Sequence, residues 1–194
     1  MLIPLKTDAE LRRRPVVTET LIIVNLVVYL VGLAGPAFGW FEADADRAWG
    51  RYAPTHFNAL HLITYQFLHG GLGHIGFNML FLWVFGSAVE NRLGRVGFLA
   101  FYLIGGAAAG LAHGLVSDHP VIGASGSIAA VTGAFLALFP RSRIKVLLFF
   151  ILIGVYMIPS LWFIAFYFAL DVLRQSGSLF GHESNVAYMA HIAG

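Results

Sequence analysis

A short glycine-rich segment carries a serine whose surroundings suit nucleophilic chemistry. The residues from Gly123 to Ser127 read Gly-Ala-Ser-Gly-Ser and open an apolar run, and the glycines allow a sharp turn and a close approach to another chain. Ser125 at a helix N-terminus would have free amides and the positive end of the helix dipole beside it, which stabilise an oxyanion. The pattern alone is weak evidence, because small residues in membrane spans more often serve helix packing.

Helix packing and chemistry are compatible in this segment. Small residues recur every four positions along one face of the run, at Ser125, Ala129, Gly133 and Ala137. Near residue 194, a second face of small residues contains Ala187 and, four residues later, His191. Since two such faces can lie close together, Ser125 and His191 form a candidate Ser-His pair.

Counting along the two helices places both side chains at a similar depth in a membrane. Ser125 is 14 residues from Phe139, about 21 Å at about 1.5 Å per residue, which puts it about 9 Å below the outer edge of a core about 30 Å thick. His191 lies six residues past Asn185, where the last apolar run begins, and this again corresponds to about 9 Å. The agreement favours a base over a packed, structural histidine.

Two further polar residues share a helix face in another apolar run. His74 and Asn78 are four residues apart and could both donate hydrogen bonds to an anion at the depth of Ser125. Interhelical hydrogen bonding is the alternative role for this pair. His69 is expected at the interface, where it organises a loop. The other histidines lie near span ends and are predicted to be solvated or structural: His56, His61, His113, His119 and His182.

Charged and redox-active groups narrow the chemistry further. No carboxylate occupies a predicted span in a position to complete a Ser-His-Asp triad, so a Ser-His dyad is the simpler arrangement. The chain has no cysteine, which excludes a thiolate nucleophile, a disulfide framework and a cysteine metal site. The net charge is only +2 and no basic block alternates with aromatics, which argues against nucleic acid as a partner.

The elements that must position these residues are membrane spans. Of the 194 residues, 58% are hydrophobic and 11% are charged, whereas soluble domains average about 25% charged residues. Apolar runs predict an all-α polytopic membrane protein with six helices, the sixth starting near Asn185 and truncated at Gly194. The other predicted spans cover residues 16–35, 73–89, 96–116, 121–139 and 146–170. The connection over residues 36–68 is expected to lie in the membrane interface.

The distribution of Lys and Arg predicts the orientation. Nine of the twelve fall in the N-terminal tail or in the connections after the second and fourth spans, all on one side of the membrane. The positive-inside rule makes that side cytosolic. Residues 1–15 are therefore predicted to be a cytosolic tail, and residues 16–194 a membrane domain that is incomplete at its C-terminus.

In combination, these segments resemble the rhomboid family of intramembrane serine proteases. The matching segments are residues 67–78 (FLHGGLGHIGFN), 86–94 (GSAVENRLG), 123–126 (GASG) and 190–194 (AHIAG), in that order. The resemblance implies a rhomboid-like six-helix bundle that hydrolyses peptide bonds in single-span membrane proteins through an acyl-enzyme, in a bacterial inner membrane, without a cofactor or metal.

The same resemblance assigns a role to each residue of the site. It implies that Ser125 is the nucleophile and His191 the general base. It implies an oxyanion hole made by His74, Asn78 and the Ser125 amide. The residues expected to support the site are His69, Gly123, Gly126 and Ala187.

Two departures and two alternatives accompany the resemblance. Many relatives have a Trp-Arg pair where this chain has Leu60-His61, and some have a tyrosine at the position of Ala129. A catalytically inactive relative that binds membrane proteins is one alternative, although such a protein would be expected to lack Ser125 or His191. A haem-binding or transport protein using intramembrane histidines is another, but it leaves Asn78 and the GASG segment unexplained.

Overall fold

The computed structural model describes residues 2–35, 58–115, 117–148 and 154–179, with the side chains of the last range described as far as residue 170. Helices dominate, and three strands form a small sheet. The elements in chain order are β1 (Leu2–Thr7), α1 (Val16–Ala34), α2 (His61–Thr64), a 3-10 turn (Tyr65–Phe67), α3 (Leu72–Phe81), a π-helical segment (Leu82–Gly86), α4 (Ser87–Gly114), α5 (Ser125–Leu138), β2 (Arg143–Leu148), β3 (Gly154–Pro159) and α6 (Ser160–Leu179).

Two helical stretches of the described chain are long and apolar enough to cross a membrane. α1 is one, and its 19 residues match the predicted first span. The other runs continuously from Leu72 to Gly114, and its 43 residues would extend about 65 Å if straight, against a hydrocarbon core of about 30 Å. Helices α5 and Ser160–Leu170 are apolar but shorter.

Gly94 divides the long stretch into two legs. Its φ of 75° and ψ of 167° are not helical, and a positive φ is accessible to glycine at little cost. Tyr65, just before the first leg, donates a hydrogen bond to the carbonyl of Gly106 in the second leg. The second leg therefore runs back along the first, and the two legs correspond to the predicted spans 73–89 and 96–116.

The GSAVENRLG segment at the end of the first leg also holds the start of α1 in place. The buried Glu90 carboxylate accepts hydrogen bonds from the Val17 and Thr18 amides, at 3.0 and 2.7 Å, and from the Thr18 hydroxyl at 2.8 Å. Asn91 accepts from two tail amides and donates to the carbonyl of Arg13. The Glu90 contacts satisfy amides in the first turn of α1, which would otherwise lack partners, and the Asn91 contacts hold the preceding tail.

The prediction of a helical span over residues 146–170 is wrong in its first part. Residues 146–148 end strand β2, residues 154–159 form strand β3, and the helix begins only at Ser160. A continuous apolar run does not by itself distinguish a buried strand from a helix. Here β-branched and aromatic residues are frequent, and Gly154 and Pro159 interrupt the helical pattern.

The resulting sheet adds strands to a fold expected to be all-α. It is antiparallel with the order β1-β2-β3, so the N-terminal residues pair with the segment that follows α5. Ile144 and Val146 alternate along β2 and are fully or almost fully buried in the same core as Phe163 of α6. The hydroxyl of Tyr167 also donates to the carbonyl of Leu2, which ties the first strand to α6.

Helices α4 and α5 pack closely through glycines of α4. A methyl group added to Gly105 would lie 2.6 Å from Cβ of Ala130, and one added to Gly106 would lie 2.2 Å from Oγ of Ser127. The α5 face in this contact is not the small-residue face that includes Ala129 and Gly133, which are half-buried and exposed, respectively. The predicted contact of that face with the last helix lies outside the described residues.

We predict that Gly106→Ala destabilises the protein, because its methyl group would overlap Ser127 and the side-chain carbon Cδ of Gln66, 2.3 Å away. Overpacking of this kind typically costs about 1–3 kcal/mol. Gly32→Ala is the matched control, since a methyl group there meets no atom of the described residues within 4 Å and alanine favours helix. Thermal unfolding in detergent should show a lower Tm for Gly106→Ala alone; equal Tm values would contradict the close packing.

Candidate active site

The N-terminus of α5 presents Ser125. Ser125 is the first residue of the helix and is half-buried, and the preceding Ala124 is fully buried. Gly123 has a φ of +121°, which favours glycine and turns the chain into the helix. No side chain of the described residues caps this helix, so the first amides of the helix have no partner within it and can serve an incoming anion.

His74 and Asn78 of α3 lie directly against this turn. A methyl group placed on Gly123 would lie 2.7 Å from Nε2 of His74 and 3.7 Å from Nδ2 of Asn78. Asn78 is only 8% exposed, and its Nδ2 has no hydrogen-bond partner among the described residues. Because burying an amide donor without a partner is costly, this nitrogen is available for an acceptor that enters the site.

A set of buried hydrogen bonds, which we call the polar clamp, holds the turn in place. Its residues are Tyr65, Gln66 and Ser127. The Tyr65 carbonyl accepts from the Gly123 amide at 2.9 Å, and the Tyr65 hydroxyl donates to the Gly106 carbonyl at 2.6 Å. Tyr65 therefore joins the turn before α5 to α4.

Gln66 completes the polar clamp. Its Oε1 accepts from the Ser127 hydroxyl at 2.9 Å, and its Nε2 donates to the carbonyls of Leu62 and Leu103 at 2.7 and 3.1 Å. The residue pattern did not predict the polar clamp. The available signal was the presence of Gln66 and Ser127 in apolar surroundings, since polar groups there need partners.

His69 lies between the 3-10 turn and α3, beside His74. Their ring centroids are 5.0 Å apart with the rings nearly perpendicular. Burial and, to a smaller extent, the proximity of His74 together lower the pKa of His69 from 6.5 to about 4, against an opposing effect of a hydrogen bond with the Phe67 backbone. His69 is therefore neutral at pH 7 and adds no charge beside the turn.

The structure brings most of the predicted site residues together and leaves two outside its described part. The side chains of His74 and Asn78 both lie against Gly123, as the methyl distances at Gly123 show. Ser125 and Gly126 follow in the same turn. Ala187 and His191 lie outside the described residues, so their positions relative to Ser125 are not part of this geometry.

The peripheral histidines have varied surroundings. His113 is buried, and its Nε2 lies 2.9 Å from the carbonyl of His119, which fits the predicted structural role. Leu60 and His61 stand where many rhomboids have the Trp-Arg pair. Here the Asn58 side chain accepts a hydrogen bond from the Leu60 amide at 3.0 Å and lies 3.4 Å from Nε2 of His61. His56 and His182 lie outside the described residues. The described part of the chain contains no group of three His, Asp or Glu side chains that could hold a metal ion.

Comparison with known proteins decides the family. The model of the rhomboid domain matches residues 56–194, most of the chain. The chain belongs to the rhomboid family. It is therefore a polytopic, mostly helical integral membrane protein, as the apolar helices indicate.

Bacterial and mitochondrial members of the rhomboid family are similar to parts of the chain. It is 43% identical over 75 residues to the rhomboid protease GluP of Bacillus subtilis, covering 39% of this chain and 15% of that protein. It is 30% identical over 140 residues to the mitochondrial rhomboid protein 1 of Saccharomyces cerevisiae, covering 64% of this chain and 40% of that protein. It is 28% identical over 147 residues to the rhomboid protease GlpG of Serratia proteamaculans, covering 76% of this chain and 48% of that protein. The matches thus span less than half the length of each relative.

We predict that protonation of His69 destabilises this rhomboid chain in acid. Because the pKa of His69 is about 4 in the folded protein and about 6.5 when unfolded, the unfolded chain binds more protons between these values. Stability should therefore fall as the pH is lowered from about 6.5 to about 4. His69→Gln, which cannot titrate, should flatten this part of the pH profile of Tm, whereas His119→Gln, at an exposed position, should not. Parallel profiles for wild type and His69→Gln would contradict the shift.

Proposed function

We propose that the chain is a rhomboid-type intramembrane serine endopeptidase that uses a Ser125-His191 dyad. The observation that carries the proposal is the start of α5, which no side chain of the described residues caps. There Ser125 follows a glycine turn that lies against Nε2 of His74 and the buried Nδ2 of Asn78. The similarity to proteins named rhomboid proteases supports it. The assignment of His191 rests on its spacing and depth in the sequence.

The proposed reaction is acyl transfer in two steps. The hydroxyl oxygen of Ser125 attacks the carbonyl carbon of the scissile peptide bond while His191 accepts its proton. The negative charge on the carbonyl oxygen is stabilised by Asn78, His74 and the Ser125 amide. His191 then protonates the leaving amine as the carbon–nitrogen bond breaks. Water, deprotonated by His191, hydrolyses the acyl-enzyme and restores Ser125.

We further propose the arrangement that the sequence predicts around this site. It comprises a six-helix bundle, with the N-terminus in the cytosol and the dyad nearer the opposite face, where water is accessible. The corresponding substrates are single-span membrane proteins cleaved in or near their spans. A bacterial inner membrane fits this orientation, with residues 1–15 on the cytosolic side and residues 16–194 forming the protease domain.

We predict that Ser125→Ala abolishes cleavage of a fluorescent transmembrane substrate in liposomes. Loss of the nucleophile should lower the rate at least about 10³-fold, and labelling by a fluorophosphonate should disappear. Ser127→Ala is the matched control, because it removes a hydroxyl two residues away that binds Gln66. It should retain measurable cleavage and labelling, even if its stability is lower. Equal cleavage by wild type and Ser125→Ala would exclude Ser125 as the nucleophile.

We predict that Asn78→Ala lowers kcat by about 10²-fold with little change in KM, because its amide would act mainly on the charge of the transition state. Asn25→Ala is the matched control: Asn25 is also buried in a helix, but its amide donates to Leu21 within that helix. This control should affect stability without a selective loss of kcat. A rise in KM alone for Asn78→Ala would instead assign Asn78 to substrate binding.

A further inference from the structure

The sheet has an outward face that does not pack against the helices of the described residues. Ile144 and Val146 are buried on the inner face of β2. Since side chains alternate along a strand, Arg143 and Lys145 lie on the opposite, outward face, and both are exposed. The outward face is therefore the surface of the sheet that remains available to another molecule.

Two lysines oppose each other directly on this outward face. Lys6 of β1 is the cross-strand partner of Lys145, and both side chains are exposed. Like charges at directly opposed positions destabilise a sheet. Arg143 adds a third cation two residues along the same strand. The arrangement thus concentrates positive charge that the fold alone leaves uncompensated.

The nearby acid does not neutralise this cluster through an ion pair. Among the described residues, the ion pair formed is Arg14 with Glu19, away from the sheet. The Asp8 carboxylate accepts from the Ser142 hydroxyl and, at 2.9 Å, from the Arg143 backbone amide. Asp8 therefore fixes the backbone at the end of the sheet, while the three cationic side chains stay exposed.

Apolar side chains adjoin the cations on the same face. Met157 is the cross-strand partner of Lys145, and Val155 is two residues away along β3; they are 44% and 50% exposed. Strand β3 leads directly into α6, whose first turn carries Trp162 at 70% exposure. Tryptophan is enriched at the membrane–water interface, and the exposed Trp162 favours a position of the sheet near the headgroups.

We propose that this outward face, which we call the amphipathic sheet face and which comprises Lys6, Arg143, Lys145, Val155 and Met157, binds anionic phospholipids. Phosphate groups would lie between the opposed lysines and Arg143, and the apolar side chains would contact the acyl boundary. With the proposed orientation, the lipids belong to the cytosolic leaflet. The proposal rests on that orientation and is independent of the dyad.

The test measures lipid binding as a change in Tm, on a Ser125→Ala background so that proteolysis plays no part. Purified protein in an uncharged detergent is titrated with phosphatidylglycerol, with phosphatidylcholine of the same chain length, and with inorganic phosphate. Phosphatidylglycerol should raise Tm by several degrees because it binds the folded state, and sodium chloride should reduce the shift. Phosphatidylcholine and phosphate should have little effect.

The variant Lys6→Gln/Arg143→Gln/Lys145→Gln should lose more than half of the shift caused by phosphatidylglycerol. The matched control removes three exposed arginines from outside the sheet, Arg12→Gln/Arg13→Gln/Arg95→Gln, and should keep the shift. Single Lys145→Gln should also weaken the response, yet its Tm without lipid should equal or exceed that of wild type, because the repulsion with Lys6 is removed. This variant tests the proposal even if the triple variant does not fold.

Several results would overturn the proposal. An equal lipid shift in the triple variant and its control would show that the amphipathic sheet face is not the binding surface. An equal effect of inorganic phosphate would indicate a site for free anions. A Tm that depends on protein concentration and not on phosphatidylglycerol would indicate that a second copy covers the face.

Discussion

The hydrogen bond from the Gly123 amide to the Tyr65 carbonyl fixes where the serine helix begins, and the geometry of the candidate site depends on it. Tyr65 is itself held by Gly106, and Gln66 holds Ser127 inside the first turn of α5. In a membrane, none of these polar groups can exchange its protein partner for bulk water at low cost. The polar clamp therefore resists displacement of Ser125 relative to α3, and a preorganised oxyanion site requires that rigidity.

A second set of polar contacts fixes the backbone at the other end of the spans. Glu90 satisfies the amides that open α1, and Asn91 binds the backbone of the preceding tail. The tail then continues into strand β1 and pairs with the segment after α5. These hydrogen bonds connect the start of α1, the end of the first leg and the segment after α5. The sheet exposes a cationic surface as a consequence of the same pairing.

The sequence predicted the helical spans well where an apolar run was bounded by charge or glycine, as at Val16–Ala34 and on both sides of Gly94. It failed at residues 146–148 and 154–159, which form strands, because hydropathy measures transfer from water and does not distinguish a helical from an extended backbone. Strand β2 alternates Arg143, Ile144, Lys145 and Val146, a pattern with period two. This segment forms a strand because it pairs with β1 near the N-terminus, and no local pattern identifies such a distant partner.

The sequence by itself determined the membrane setting, the family resemblance and the choice of Ser125, His74 and Asn78, because composition and residue spacing along a helix are local properties. Only the tertiary structure decided how these residues meet. It placed the Gly123 turn against His74 and Asn78, revealed the polar clamp of Tyr65, Gln66 and Ser127, and paired Lys6 with Lys145. The contacts of Gly123 with His74 and Asn78, of Gln66 with Ser127 and of Lys6 with Lys145 join residues more than 40 positions apart. The entropy cost of closing such loops is offset by the fold as a whole and not by any one segment.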